Sequence, residues 1–469
     1  MVKQQDGNKD GLSRRGLLGA GLAGAAGLSL GLGGLGSVSA LASAATLRQP
    51  GSLPYPNLAP GTDTIPQIEH IVVLMMENHS YDNRLGTLRR PDADGFTFAN
   101  GRPTATSLYA NGDIQHAFHM PTTCQNGSPS QNWTSSHIQF DGGLGDGFVI
   151  SPSGPTSMGY WDTPDQPFYH SLARTFPIAD RYFCSVLGQT YPNRRYLIGA
   201  TSIGQINDTT PALTDYPKNG TIFDALDAAG VTWKDYYSST LEALGTTLPA
   251  ATTLLYPLAF FNHTANTVAI TEFFSDAAAG TLPGYCIVEP DYNVQSEENP
   301  QNIAVGEAFA ASVVNAVMSG PGWSKTLLIW TYDEHGGYYD HVPPPAALAP
   351  DDIQPAVTDG QSAYNGFAQY GFRVPFAIVS PYAQPSYVSH QVMDHTSICA
   401  LVEAKWNLPA MTLRDANAAA PLDMLDFSRA AFATPPVLAQ PLLDTDPSAL
   451  ACNVSGPGTI PPPGSVTPA

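Results

Sequence analysis

Six consecutive apolar residues, Ile71 to Met76, open with three β-branched side chains and constrain the fold more than any other segment. The run is too short for a buried helix and lacks the alternation of a half-wet strand. It reads as a strand covered on both faces. Tyr285–Val288, Thr326–Tyr332 and Val374–Val379 repeat the pattern, each ending in polar or turn-forming residues. Helical patterns lie between them. Gly306–Ser319 sets Phe309, Val313, Ala316 and Val317 on one face, and Thr221–Ala229 precedes a strand-like Val231–Tyr237. Ser397–Trp406 is a further helix, with Asp394 or Thr396 available as its cap. Alternating strands and helices predict an α/β fold with a mostly parallel sheet. No repeat period of about 20 to 50 residues recurs, which excludes a solenoid.

The N-terminus reads as an address rather than as part of that fold. Lys3, Lys9, Arg14 and Arg15 give a basic start, Ser13-Arg14-Arg15-Gly16-Leu17-Leu18 opens a Gly/Ala/Leu-rich stretch to about Leu35, and Ala42-Ser43-Ala44 is a small-residue cleavage site. The paired arginines indicate a twin-arginine signal and hence the twin-arginine export machinery as a partner. The alternative, a transmembrane anchor, needs about 20 strongly apolar residues, whereas glycine dilutes this segment. The mature chain is therefore expected to be exported and to carry no stable membrane anchor.

Charge narrows the partners. The chain carries a formal net charge of −20. Its first 44 residues hold four basic and two acidic side chains, so their removal leaves −22. Such a field repels polyanions, making nucleic acid and anionic membrane surfaces poor partners, while a small phosphate ester or zwitterionic lipid headgroup escapes most of the penalty. The cysteines Cys124, Cys184, Cys286, Cys399 and Cys452 show no CxxC spacing, and their odd number leaves at least one without an intrachain partner. Cys286 and Cys399 sit in hydrophobic runs and read as buried apolar side chains.

Ligands in doubly wound sheets bind beyond the carboxyl ends of the strands, so the residues following each apolar run carry the chemistry. The first run delivers Glu77-Asn78-His79-Ser80-Tyr81-Asp82. The run at Thr326 delivers Asp333-Glu334-His335-Gly336-Gly337, and the last gives Ser380-Pro381-Tyr382 and, further on, Asp394-His395-Thr396-Ser397. Adjacent carboxylates such as Asp333 and Glu334 repel when buried unless a divalent cation holds both ionised. With Glu77 and Asn78 they form a hard oxygen-ligand set; without an ion, the same residues are a solvated loop end and a strand-terminating turn. Leu187-Gly188-Gln189-Thr190-Tyr191-Pro192-Asn193-Arg194-Arg195 places Thr190 just before a helix N-terminus, with Pro192 in the first turn. A hydroxyl there is either a simple cap or, beside a divalent ion, a nucleophile. Arg194 is suited to phosphate oxygens or to an ion pair.

Together these runs resemble the bacterial phosphoesterase family that contains phospholipases C and certain acid phosphatases, a branch of the alkaline phosphatase-like superfamily. The matching segments are Ile68–Arg89, Asp146–Phe148, Cys184–Arg195, Thr331–Pro345 (TYDEHGGYYDHVPPP), Phe372–Tyr382 and Asp394–Ile398. The resemblance implies an αβα sandwich with a divalent metal ion, of unspecified identity, at the strand ends. It makes Glu77, Asn78, Asp333, Glu334 and Thr190 the metal ligands and Thr190 the nucleophile. His137 and His395 match family positions that contact phosphate or assist proton transfer. Many relatives carry His-Ser-Trp where this chain has Gln131-Asn132-Trp133, and often His-Pro where it has Asn299-Pro300. An amide cannot supply a proton or a positive charge, which leaves His137, His395 or water to protonate the leaving group.

The expected organisation is an export signal over 1–44, a linker over 45–66, a phosphoesterase domain over 67–430 and a C-terminal extension over 431–469. Its Pro/Gly-rich end, from Gly456, is expected to be disordered. The expected function is a phospholipase C acting on phosphatidylcholine-type lipids. The alternatives are an acid phosphatase acting on soluble monoesters and a secreted metal-containing binding protein without catalysis. A lipid-cleaving site calls for an apolar rim, for which Trp133, Tyr160, Trp161 and Phe168 are candidates, although core packing accounts for them equally well.

Overall fold

The run at Ile71 becomes the central strand of a sheet whose neighbours bury it on both edges and both faces. The computed structural model describes residues 47–124, 129–243, 245–358, 360–442 and 461–469. The expected export signal and cleavage site, Cys452 and the start of the Pro/Gly-rich tail lie outside these residues. The strands are β1 (His70–Met76), β2 (Ile178–Ala179), β3 (Trp233–Tyr237), β4 (Thr267–Ala269), β5 (Tyr285–Val288), β6 (Thr326–Tyr332), β7 (Phe376–Val379) and β8 (Val388–Ser389). They pair in the order β4-β3-β5-β1-β6-β7-β2-β8. All neighbours are parallel except β7, which runs antiparallel to both β6 and β2.

The reversal of β7 corrects one expectation. Among the described residues no helix lies between the end of β6 and the start of β7, so the chain loops over the carboxyl edge and re-enters from that same edge. Antiparallel neighbours need no crossover helix. Ser380-Pro381-Tyr382 therefore emerges at the opposite edge, away from the ends of β1 and β6. Asp394 returns to the site edge only after β8.

Helices cover both faces. They are α1 (Tyr81–Leu85), α2 (Trp133–Phe140), α3 (Pro167–Thr175), α4 (Thr190–Gly199), α5 (Ile222–Ala228), α6 (Pro257–Asn262), α7 (Ile270–Ala279), α8 (Ile303–Ser319) and α9 (His395–Trp406). Side chains alternate along a strand, so Tyr285 and Trp330 point to opposite faces of the sheet, given the registers Ile71↔Tyr285 and Ile71↔Leu327. The Tyr285 ring packs against Phe223 of α5, and Trp330 stacks on Tyr169 of α3 at 4.5 Å. The helix set α4, α5 and α9 packs on the first side, and α3, α7 and α8 on the second. This is an αβα sandwich. Every residue of β6 is buried, which explains why its sequence shows no polar alternation.

Cys286 and Cys399 are buried and free, as expected, and Cys184 joins them. The tail departs from expectation. Val466–Thr467 pairs antiparallel with Ile114–Gln115, and His116 N–H donates to Ser465 O at 2.8 Å, so the described end of the chain adds a strand. The unpaired edge of a short strand gave it hydrogen-bond partners that composition does not register.

Helix α9 begins where the sequence offered two caps, and Asp394 takes the role, in a capping box with Ser397. Its carboxylate also accepts from Ser185 Oγ at 2.8 Å and from Arg414 Nη1 at 3.3 Å, all buried. Replacing Asp394 with Ala strands a buried guanidinium, so Asp394→Ala is expected to lower stability by about 3–5 kcal/mol. Denaturant unfolding checks this, with Asp394→Asn recovering part of the loss.

Candidate active site

Strands β1 and β6 end side by side, with Met76 opposite Tyr332, so the acidic turns that follow are neighbours. Asp333 N–H donates to Met76 O at 3.1 Å and prolongs the ladder by one residue. Glu334 N–H donates to Asp333 Oδ1 at 2.7 Å, and Gly336 N–H returns to Glu334 Oε2 at 2.7 Å. Gly336 sits at φ +65°, and a Cβ there would lie 1.9 Å from Asn78 O. Glycine is what lets the two turns touch.

Thr190 is the first residue of α4, and its side chain lies near enough to the Asp333 carboxyl to help hold that group's pKa down against burial. The approach is fixed by Asn193, which accepts from Val186 N–H and donates to Gly188 O and Gln189 O. Asp208 accepts from Tyr191 N–H at 2.7 Å and from Gln189 Nε2 at 3.0 Å. Thr190 and Glu77 open together onto a cavity of about 450 Å³, whose wall also carries Asp208, Tyr292 and Glu298. Asp208 and Glu298 belong to this wall although no sequence signal marks them, because each lies outside the strand-end motifs.

Arg194 corrects an expectation. It lies one turn beyond Thr190 and is buried. Its Nε donates to Asp333 Oδ2 at 3.0 Å, Nη1 to Glu289 Oε2 at 3.0 Å and to Thr252 Oγ1 at 3.4 Å, and Nη2 to Met75 O and Met76 O. All five N–H groups are thus spent on the protein. Arg194 binds together the ends of β5, β1 and β6 rather than offering a fork to phosphate.

The two histidines are corrected as well. His395 is fully buried; Nε2 donates to Asp333 O at 2.7 Å and Nδ1 accepts from Tyr182 OH at 3.0 Å. Burial lowers its pKa to about 4, so it is neutral with both nitrogens committed, and it props the acidic turn. His137 hydrogen-bonds Trp133 O through Nδ1 at 2.6 Å and stacks on Tyr364 with centroids 3.8 Å apart. Burial lowers its pKa to about 4 also. Its recorded partners are aromatic residues and its own helix, not Thr190 or the acidic turns. Asn299, in the place of a common family histidine, accepts from Tyr338 OH at 2.8 Å.

The electrostatics call for a cation. Burial, then the charges of Asp333 and Glu298, push Glu77 well above the usual carboxylate range. Burial raises Glu334 too, with Asp333 adding to it, and lifts Asp333 to about 6 against the opposing pull of Arg194. Burial raises Asp208 to about 6 and, with Asp333, Glu298 to about 7. Asn78 Oδ1 and Nδ2 and Glu334 Oε1 are buried without a hydrogen-bond partner. Orphaned buried oxygens among uncompensated carboxylates, with no sulfur or imidazole in the set, fit a hard divalent ion.

A different trio is more tightly spaced. Asp82, Asp340 and His341 bring ligand atoms within 4.8 Å of one another, which Glu77, Asp333 and Glu334 do not. Yet that trio is already neutralised. Arg373 donates to Asp340 at 2.8 Å and to Asp82 at 3.2 Å. His341 bridges Asp82 and Asp94 with both ring nitrogens. Burial opposes its protonation, but Asp82 outweighs that and raises its pKa to about 9. An imidazolium has no lone pair for a metal.

A mostly parallel sheet lies between two helical layers, with acidic turns and a helix-leading hydroxyl at its carboxyl edge. The chain belongs to the phosphoesterase family, whose model matches residues 68–409, and it is a phosphoric ester hydrolase. Phospholipase C B of Mycobacterium tuberculosis is 31% identical over 429 residues, covering 80% of each chain. Non-specific phospholipase C1 of Arabidopsis thaliana is 31% identical over 388 residues, covering 74% of this chain and 69% of its own. A solved alkaline phosphatase superfamily protein from Vibrio parahaemolyticus covers 71% of this chain and 77% of its own at 12% identity, with a TM-score of 0.35. As an enzyme family member, the chain is not the non-catalytic binding protein considered above.

Raised carboxyls bind more protons in the folded than in the unfolded chain between about pH 4 and pH 7. The stability of the metal-free protein therefore falls as pH rises through the values of Asp208, Asp333 and Glu298. A divalent cation bound among these carboxylates would take the place of those protons. The increase in Tm on adding Mg²⁺, Ca²⁺, Mn²⁺ or Zn²⁺ to EDTA-stripped protein is expected to be larger at pH 8 than at pH 5. Equal increments at both pH values would contradict this.

Proposed function

We propose that the chain is a metal-dependent phospholipase C that cleaves phosphatidylcholine-type lipids through Thr190. The observation that carries this reading is the Thr190 side chain at the head of α4, beside Asp333 and open to a cavity that Glu77 also lines. Two relatives named as phospholipases C, each 31% identical, support the choice of ester.

Glu77, Asn78, Asp333, Glu334 and the Thr190 oxygen would hold the cation. When bound, it supplies positive charge that favours the threonine alkoxide and offsets charge on the phosphoryl oxygens. Asp333 draws the proton from Thr190 Oγ1 as the Oγ1–P bond forms. The P–O bond to diacylglycerol breaks, and the departing alcohol takes up that proton through solvent, since His137 and His395 are neutral and engaged elsewhere. Water then attacks phosphorus, the Oγ1–P bond breaks, and Thr190 regains its proton as phosphocholine leaves. The first turn of α4 turns the positive end of its helix dipole toward this reaction. Arg194 acts by position, holding α4 against three strand ends.

Thr190→Ala is expected to lower kcat by about a thousand-fold or more while leaving Tm unchanged. Near-normal turnover would defeat the nucleophile assignment. A metal-reconstituted assay of phosphatidylcholine, sphingomyelin and p-nitrophenyl phosphate tests the substrate. Cleavage of the monoester alone would make the chain an acid phosphatase instead.

We further propose that the protein is exported through the twin-arginine pathway, on the strength of Arg14-Arg15 and Ala42-Ser43-Ala44. Replacing both arginines with lysine is expected to retain the protein inside the cell. An exported wild-type chain should begin after Ala44 by N-terminal sequencing.

A further inference from the structure

Of the aromatic residues that could have formed a rim or packed in the core, Trp133, Trp161 and Phe168 are buried and Tyr160 is half-buried, and none of the four lines the cavity. Other apolar side chains are exposed within a few residues of the cavity wall, on three segments that share no sequence neighbourhood. Leu213 is 51% exposed and follows the wall residue Pro211; Leu258 and Phe261 are 40% and 43% exposed, on the short helix α6 that begins with the wall residue Pro257; Val294 is 52% exposed beside the wall residue Asn293. Leu258 and Phe261 are three apart and so share one helix face. Single exposed apolar residues are ordinary, but several on separate segments that all border one cavity are not.

The charge on the same segments selects the occupant. Residues 208–213, 238–243, 250–261 and 291–294 contain Asp208, Glu242 and Asp291 and no lysine or arginine. An anionic lipid layer would be repelled by these carboxylates and by the net charge of −20. A zwitterionic layer presents ammonium groups outermost, which these carboxylates attract, over an acyl region that accepts leucine and phenylalanine. Among the described residues no helix is long and apolar enough to cross a membrane, so attachment by this rim is peripheral.

We propose that the mouth of the Thr190 cavity is a docking surface for zwitterionic phospholipid layers, with Leu213, Leu258, Phe261 and Val294 inserting at the interface. The proposal rests on the reading of the site as a phospholipase and adds to it that the enzyme takes its substrate from an assembled lipid surface. A soluble monoester has no use for such a rim. A second copy of this chain would bring its own carboxylates against these.

The test uses the mature protein with its divalent cation restored, and the variants Leu213→Ser and Leu258→Ser/Phe261→Ser. Binding is read by co-sedimentation with phosphatidylcholine vesicles and with vesicles half phosphatidylglycerol. Activity is read on phosphatidylcholine vesicles and on dihexanoyl phosphatidylcholine below its micelle concentration. The variants are expected to lose at least ten-fold in vesicle binding and vesicle hydrolysis and to keep wild-type rates on the monomeric ester. The wild type should prefer the wholly zwitterionic vesicles. Undiminished vesicle hydrolysis, equal losses on both substrates, tighter binding to phosphatidylglycerol, or a doubled solution mass that the variants abolish would each overturn the proposal. Thr190→Ala separates the two readings. Turnover of the monomeric ester by that variant sinks the catalytic assignment, while its vesicle binding, which needs no turnover, still reports on the rim.

Discussion

Glu77, Asp208, Glu298, Asp333 and Glu334 gather at the carboxyl edge of this sheet around Arg194, whose charge Glu289 shares, and that imbalance governs the rest of the site. Glu77, Asp208, Glu298, Asp333 and Glu334 are all raised above their ordinary range, burial being the first cause in each case. The same molecule shows what a settled acidic cluster looks like. Asp82, Asp94 and Asp340 meet Arg373 and a protonated His341, with each oxygen answered at hydrogen-bond distance. The contrast is in the leftover atoms. Around Asp82 the donors are supplied by side chains, whereas around Glu334 and Asn78 buried oxygens lack partners. A fold does not keep such groups without a ligand to complete them.

Arg194 converts that electrostatic demand into geometry. It reaches Glu289 just past β5, the last carbonyls of β1, and Asp333 just past β6, and these three strands are adjacent in the sheet. Because Thr190 lies one turn earlier on the same helix, anchoring the guanidinium also fixes where the hydroxyl stands. His395 works from the other side, donating to the Asp333 carbonyl from the first turn of α9. Asp333 is thus gripped by a helix on each flank and by β1 below. A carboxylate so constrained loses little further freedom on meeting an ion or a hydroxyl.

The sequence made the strands and the acidic turns legible because both are local. Apolar runs buried on two faces have a composition of their own, and the turns follow them directly. Thr190 was legible as a helix-leading hydroxyl, since Pro192 marks a first turn. What could not be read was anything decided by tertiary partners. Arg194 is the same letter whether it faces phosphate or Asp333 and Glu289. His395 and His137 look like general acids until burial and their hydrogen bonds leave them neutral and engaged. The reversed β7 has the same apolar composition as a parallel strand, and only the missing crossover helix betrays its direction. Asp208 and Glu298 enter from loops whose course depends on where the helices dock.

The cavity divides the labour between two kinds of structure. Its floor is made of strand ends, where a change of residue disturbs the register of β1 and β6 and the contact of Gly336 with Asn78. Its outer wall comes largely from the insertion between β3 and β4, which leaves the sheet at the same carboxyl edge. Thr252 N–H binds Glu289 at 2.8 Å and Thr253 N–H binds Asp235 at 2.9 Å, so the insertion is pinned to the sheet at its centre through backbone amides. Exposed side chains of the same insertion, Leu258 and Phe261 of α6 among them, take no part in that anchoring. The reacting centre is therefore held by strand ends and buried ion pairs, while the surface that meets the substrate's non-reacting part carries side chains that face outward. An enzyme built this way can keep its phosphoryl chemistry fixed and alter what it approaches by changing leucines and carboxylates on one loop.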